Sequence, residues 1–290
     1  MSLFISNKQT AKDRPSTQPL APILLDGAGI QLQRRIFPHD HEYHKFILDT
    51  FEIANLSGEE LQYPLIPNGY MSLYFMLGSN NSHGYVSGVL TFLRKLRIKP
   101  YSVAYCVRLH PDVIHWLLDI PASDLTDRAL PLEQFLPQVD SFLNELKRGE
   151  SFHERNILLG RYLSGLNSAQ FSPMALVSRC VNIILENQGV IKVSEIATIV
   201  GCSERYLNRI FQEHVGVSTK LFSEMTQLQC SLQNIFATKP KSLLNTAVTF
   251  GYFDQAHMNR SYQKFLDCTA CDMRYADAHS LTWNTITNIL

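Results

Sequence analysis

The chain has 290 residues, 45% of them apolar, with 26 basic against 26 acidic side chains. That length accommodates two domains of ordinary size, and the apolar share excludes wholesale disorder. A net charge of zero excludes any binding mode that rests on bulk positive charge. No apolar run reaches the roughly 18 residues of a membrane span. The N-terminal stretch lacks the apolar core of a signal peptide. The six scattered Cys residues suit reduced thiols better than a disulfide framework. The expectation is a cytoplasmic protein without membrane association.

Residues 1–22 read as a polar, Pro-containing tail, and 23–109 are rich in β-type segments. Gly69-Tyr70 precedes an apolar stretch from Met71 to Leu77, which Gly78-Ser79-Asn80-Asn81-Ser82 closes. Tyr85 to Leu93 and Tyr101 to Leu109 are further strand candidates, with Val, Tyr and Phe throughout. Pro111 fits the first turn of a short helix from Asp112 to Leu118. A loop with Pro121 and Pro131 leads to helix-like stretches at about 132–147 and 151–164, and 164–170 reads as a linker.

From Ser172 onward the pattern is helical. Ser172-Pro173 is an N-cap followed by Pro at the first helical position, and that helix runs to about Gln188 and stops at Gly189. Five more follow: Ser194 to Val200, Ser203 to about Val215, Thr219 to about Phe236, Ser242 to Phe250, and Asp254 to Leu266. Ser203, Ser218, Ser242 and Asp254 sit where N-caps belong. The long helix from Thr219 has apolar residues at Leu221, Phe222, Met225, Leu228, Leu232, Ile235 and Phe236, one buried stripe at helical spacing.

A pattern recurs within this helical region. Ala197, Gly201, Ser203, Leu207, Asn208-Arg209 and Phe211 are answered by Ala247, Gly251, Asp254, Met258, Asn259-Arg260 and Tyr262. The spacing is 50 residues up to the glycines and 51 beyond them, because Tyr252-Phe253 stands against Cys202. Each copy reads as a short helix, a tight turn and a second helix on a capping residue. In such a unit the first helix braces the second, whose N-terminal residues meet base edges in the major groove. Leu207, Ile210 and Phe211 are the expected core face of the first copy, with Arg205, Asn208 and Arg209 opposite. In the second, Met258, Tyr262 and Phe265 are core, with Gln255, Ala256, Asn259 and Arg260 outward. Arg, Asn and Gln suit bidentate base contacts or phosphate contacts. Charge gives little help: residues 1–174 carry 16 Lys+Arg and 17 Asp+Glu, residues 175–290 carry 10 and 9.

The strings VSEIATIVGCSERYLNRIFQEHVGVS and FGYFDQAHMNRSYQKF make residues 173–277 resemble the C-terminal domain of AraC/XylS-type transcriptional regulators. The resemblance implies two helix-turn-helix motifs joined by a long helix, set into successive major grooves on one face of DNA. It places Arg205, Asn208 and Arg209 on the first reading helix and Gln255, Ala256, Asn259 and Arg260 on the second. The chain departs from the family at Gln227, where Arg is usual. It departs again at Thr219, where Pro is usual, and at Asp267-Cys268-Thr269-Ala270, where Gly-x-Thr-Pro is usual. The last change predicts a weakened stop to the second reading helix. The N-terminal half more loosely resembles the sensor domain of one branch, through Leu65-Ile66-Pro67-Asn68-Gly69, Val107-Arg108-Leu109-His110-Pro111 and Leu125-Thr126-Asp127-Arg128.

The expected fold is α+β. A β-rich domain at about 23–165, with barrel-like closure as one form, precedes an all-α domain at about 172–280. The partners implied are double-stranded DNA, RNA polymerase, a small-molecule effector and a second copy, with no cofactor and no metal. Two alternatives stay open: a module that acts through a protein or small-molecule partner with weak DNA contact, and a metalloenzyme of the N-terminal domain. His39, His41 and His44 with Asp40 and Glu42 are the densest group of metal-ligand types, read as a polar loop before an amphipathic segment from Tyr43 to Phe51. Cys268-x-x-Cys271 reads as incidental rather than redox-active, and Cys106 as inert core.

Overall fold

Strands occupy the first half of a computed structural model, which describes residues 29–37, 41, 43–44, 46–79, 81–136, 138–165 and 174–275. They are β1 (Ile30–Ile36), β2 (Ile47–Asn55), β3 (Leu61–Leu65), β4 (Ser72–Leu77), β5 (Ser82–Ser87), β6 (Arg94–Ile98), β7 (Ser102–Leu109) and β8 (Ala129–Pro131). Six form an antiparallel sheet in the order β1-β2-β7-β4-β5-β8, and β3 pairs with β6 in a two-stranded ribbon. The sheet does not close into a barrel: β1 and the three-residue β8 are its open edges.

Every residue of β2 is buried. Phe51 and Ile53 join Tyr74, Ala104 and Cys106 in a small core under the ribbon, with Leu61, Tyr63 and Ile98. Thr50 and Glu52, on the other face, meet α3 (Phe152–Gly165). Thr50 donates to Asn156 Oδ1 at 2.5 Å, and Arg155 donates to Glu52 at 2.7 Å. On the ribbon side Asp49 accepts both arms of Arg108, at 3.1 and 2.7 Å, and Nε of Arg34 at 2.8 Å. The amphipathic segment expected from Tyr43 to Phe51 is therefore a strand from Ile47 with no solvent face. Its carboxylates go inward because cations on three other elements await them. Burial pushes the Glu52 carboxyl up, against the pull of Arg155, and pushes the Cys106 thiol well up, with the Glu52 and Asp49 charges adding to it.

The strand expected from Tyr85 to Leu93 stops at Ser87. A Cβ on Gly88 would lie 1.9 Å from the Leu125 carbonyl oxygen, so the chain here passes against a neighbouring backbone. Helix α1 (Val113–Leu118) follows β7 as expected. The stretch expected at 132–147 divides into a 3₁₀ turn, Leu132–Gln134, and α2 (Val139–Arg148), whose cap Gln138 takes φ 56° and breaks the helical path.

The C-terminal helices lie within two residues of expectation. They are α4 (Ala175–Glu186), α5 (Val193–Val200), α6 (Glu204–His214), α7 (Thr219–Thr238), α8 (Leu243–Thr249) and α9 (Gln255–Leu266), and a short α10 (Ala270–Tyr275) follows. The tail, the Ser172-Pro173 cap, most of the expected linker, and His39, Asp40 and Glu42 lie outside the described residues. One hydrophobic core runs from Phe75 through Phe222 and Phe211 to Phe265 and Met273, joining the sheet to these helices.

Polar contacts cross the same boundary. Gln229 donates to Pro67 O at 2.6 Å, Thr126 to Gly216 O at 2.5 Å, and Leu93 N to Phe265 O at 2.8 Å. Asp112, at φ 80°, contacts His214 Nδ1 through Oδ1 and accepts Met174 N at 2.6 Å, so one carboxylate ties α6 and the start of α4 to the end of β7.

Candidate nucleic-acid interface

Each helical repeat is built by the same local chemistry. Gly201 and Gly251 take φ +75° and +73° at the two turns, a conformation that costs a side-chain-bearing residue. Ala197 and Ala247 are buried where the paired helices cross. Their carbonyls accept the amides of Cys202 and Tyr252 at 3.0 and 2.9 Å, which closes the turns alike. Ser203 Oγ accepts Tyr206 N at 3.2 Å and Asp254 Oδ1 accepts His257 N at 2.6 Å. Caps of this kind stabilise a helix start by about 1 kcal/mol each. Ser218 caps α7 through Leu221 N at 3.2 Å, whereas Ser242 occupies its cap position without a side-chain bond.

Leu207, Ile210 and Phe211 in α6, and Met258, Tyr262 and Phe265 in α9, are buried as expected. Both units grip α7, whose 20 residues span about 30 Å. Tyr262 OH and Ser231 Oγ lie 3.0 Å apart, Lys264 pairs with Glu224 at 2.7 Å, and Gln227 donates to Phe250 O at 2.7 Å. Gln227 thus satisfies a carbonyl at the end of α8.

Arg205, Arg209, Gln255, Ala256 and Arg260 are all exposed. Arg209 pairs with Glu213 at 3.2 Å and lies 5.1 Å from the Tyr206 ring centre, which orders its side chain along the helix. Among the described residues no acidic side chain pairs with Arg205 or Arg260. Asn208 and Asn259 are half-buried, and each already has a partner. Asn208 Oδ1 accepts Thr219 N at 3.3 Å, and Asn259 Oδ1 accepts Ala270 N at 3.2 Å. The two bonds span the same eleven residues and tie α6 to the start of α7 and α9 to the start of α10. Thr219 and Ala270 are the positions where the resemblance expects Pro. A Pro there would have no N–H for the Asn to hold.

The weakened stop expected after the second reading helix is absent. Asp267, at φ 56°, takes the left-handed cap and accepts Gln263 Nε2 at 2.6 Å. Thr269 and Asp272 then bond reciprocally, with Asp272 Oδ2 2.7 Å from Thr269 N and Thr269 Oγ1 3.2 Å from Asp272 N, a capping box that starts α10. The Thr-x-x-Asp pattern was the available signal for it. Burial, with the Asp272 and Asp267 charges, pushes the Cys268 thiol up to about 12.

In the N-terminal half, a narrow cleft with about 30 Å³ of free space lies between sheet and ribbon, bordered by Phe51, Tyr63, Asn68, Tyr70, Ser72 and Ser87. Among the described residues the buried Tyr70 hydroxyl has no hydrogen-bond partner, and burial pushes it upward in pKa. His41 and His44 serve the turn before β2: His41 Nδ1 accepts Tyr43 N at 3.3 Å, and His44 Nδ1 lies 3.0 Å from Phe37 O. Among the described residues no three His, Cys, Asp or Glu side chains are grouped to hold a metal ion. Nor is any helix long and apolar enough to cross a membrane.

Residues 196–275 match the family model described as a helix-turn-helix domain, and residues 44–131 match a domain of unknown function, DUF6597. Residues 196–275 are an AraC-type helix-turn-helix domain. No curated protein matches the chain. Solved structures of ToxT from Vibrio cholerae are similar at a low level. An apo variant is 9% identical with a TM-score of 0.40, over 85% of this chain and 97% of that one. A second ToxT structure is 11% identical with a TM-score of 0.38, over 86% and 98%. A third, bound to an unsaturated fatty acid, is 9% identical with a TM-score of 0.38, over 85% and 94%. The AraC-type domain is that of DNA-binding transcriptional regulators.

Proposed function

We propose that this protein is a sequence-specific DNA-binding transcriptional regulator that sets α6 and α9 into successive major grooves on one face of a duplex, about 34 Å apart. The observation that carries the reading is the matched pair of capped helix starts, both braced on α7, each displaying exposed Arg at the same depth: Arg209 and Arg260. Arg205, Asn208 and Arg209 are the DNA-facing set of the first unit, and Gln255, Ala256, Asn259 and Arg260 that of the second. Arg209 and Arg260 supply most of the binding energy. Asn208 and Asn259 seat the reading helices through Oδ1 and keep their amide N–H groups for the duplex. A small-molecule effector would have to widen the cleft at Tyr70, a cleft whose free space of about 30 Å³ is roughly that of one water. The Tyr70 ring packs edge-on against Phe222 of α7 at 5.8 Å, so occupancy there reaches the helix that spaces the two units. RNA polymerase and a second copy are the protein partners this reading implies.

A salt titration of binding to a duplex selected by the protein from a random pool tests the proposal. The expected result is specific binding whose log affinity falls with log salt at a slope of about 0.9 per phosphate contact. No specific binding at low salt overturns it, in favour of a module that acts through another partner.

A further inference from the structure

We infer that the tips of the two reading helices recognise base pairs of different composition: G·C pairs beneath the tip of α6, and A·T pairs beneath the tip of α9, where Phe253 covers thymine methyl groups. The inference rests on the groove-reading role proposed above and specifies its substrate.

The Asn-Arg pairs are the same in both units, so they cannot distinguish one groove from the next. The difference lies at the helix tips. Counting from the caps Ser203 and Asp254, the first two helical residues are Glu204 and Arg205 in α6, but Gln255 and Ala256 in α9. All four are exposed, and the cap bonds pin the tips that carry them.

The tips differ in chemistry as the base pairs do. Glu only accepts and Arg only donates. Guanine offers two acceptors, O6 and N7, and cytosine a donor, N4, so a Glu-Arg tip complements G·C. Gln both donates and accepts, which matches adenine N6 and N7, while Ala offers a methyl surface to the thymine methyl.

Phe253 completes the second tip. It is the residue that makes the repeat 51 rather than 50 long. Tyr252 is 3% exposed and takes the inward place that the half-buried Cys202 has in the first unit, while Phe253 is left 89% exposed. Nothing inside the described chain covers this ring. It stands one residue before the α9 cap, beside Gln255 and Ala256, and is the most exposed large apolar side chain among the described residues. An apolar ring beside Ala256 at the groove-facing end of a reading helix has an apolar occupant available in duplex DNA, the thymine methyl.

The test is selection of duplexes from a random pool by the full chain, followed by uracil replacement of each thymine in the selected duplex. The expected site has a G·C block and an A·T block one helical turn apart. Uracil in the A·T block should weaken wild-type binding about threefold or more, by loss of the methyl contact. Phe253→Ser should bind more weakly to the thymine duplex and lose most of this sensitivity. Gln255→Glu with Ala256→Arg, which grafts the first tip onto the second, should convert the A·T block to G·C. Because these positions are exposed, an unchanged thermal midpoint serves as the folding control. Two blocks of like composition, uracil without effect, or a graft that leaves the preference unchanged overturns this inference while groove reading stands. No enriched sequence at all, with Arg209→Ala and Arg260→Ala indistinguishable from wild type, overturns groove reading itself.

Discussion

The two halves of the molecule use charge in opposite ways. In the sheet-bearing half Asp49, Glu52, Arg108, Asp112 and Arg155 are buried and bonded to one another or to backbone across elements. In the helical half no Lys, Arg, Asp or Glu among the described residues is buried. Near-equal counts of acid and base in each half therefore describe two different things. In the first, five charges organise the interior and are lost to any partner, although others such as Arg94, Lys95 and Arg97 stay exposed. In the second, every described charge is exposed or half-buried, and three exposed arginines on two helices matter more than a net sum. A balanced composition is compatible with phosphate binding once position is known, because counterion release depends on the cations that touch phosphate and not on the chain total.

The largest expected effect tests the buried side of this contrast. Asp49→Ala leaves the fully buried Arg108 without its carboxylate partner, and removing one member of a buried pair costs about 3–5 kcal/mol. The urea midpoint should fall accordingly; an unchanged midpoint would erase the distinction between the halves. Next come Arg209→Ala and Arg260→Ala, each lowering affinity for the selected duplex by about 1–3 kcal/mol if it makes a bidentate base contact. Their urea midpoints should stay at the wild-type value, since both side chains are exposed. Asn208→Ala and Asn259→Ala are expected to cost about 1 kcal/mol of stability each and to speed hydrogen exchange at the amides of Thr219 and Ala270. Unchanged exchange at both amides would return the Asn residues wholly to the DNA surface. The smallest effect is that of Glu213→Gln, which removes an exposed i,i+4 pair and should move stability by no more than about 0.5 kcal/mol.

The helical half was legible at the level of single residues. Small Ala, turn Gly, hydroxyl or carboxylate cap and apolar stripe are local signals, and each acts within a few residues of itself. The helix ends and three of the four internal caps follow from them. The stop of α9 was misread because Asp267 supplies a left-handed cap where Gly was sought, and Asp and Asn tolerate that conformation better than most residues. The sheet half was legible only in part. β4 and β7 stand out as apolar runs, but β2 carries Asp49 and Glu52 and mimics an amphipathic segment. Those carboxylates look solvent-facing until Arg34, Arg108 and Arg155 arrive from strands and a helix up to 103 residues away.

By itself, then, the amino-acid order determined two capped helix-turn-helix units, the long helix between them and which of their faces are apolar. Hydrogen bonds and side-chain periodicity within about four residues are enough for that. Only the tertiary structure decided that the β-sheet stays open, and that one core joins it to the helices. The same holds for the turning of Asn208 and Asn259 partly inward and the extrusion of Phe253 at the second turn. Each of those depends on which distant group fills a given space, and residue order carries no local mark of a neighbour brought near by folding.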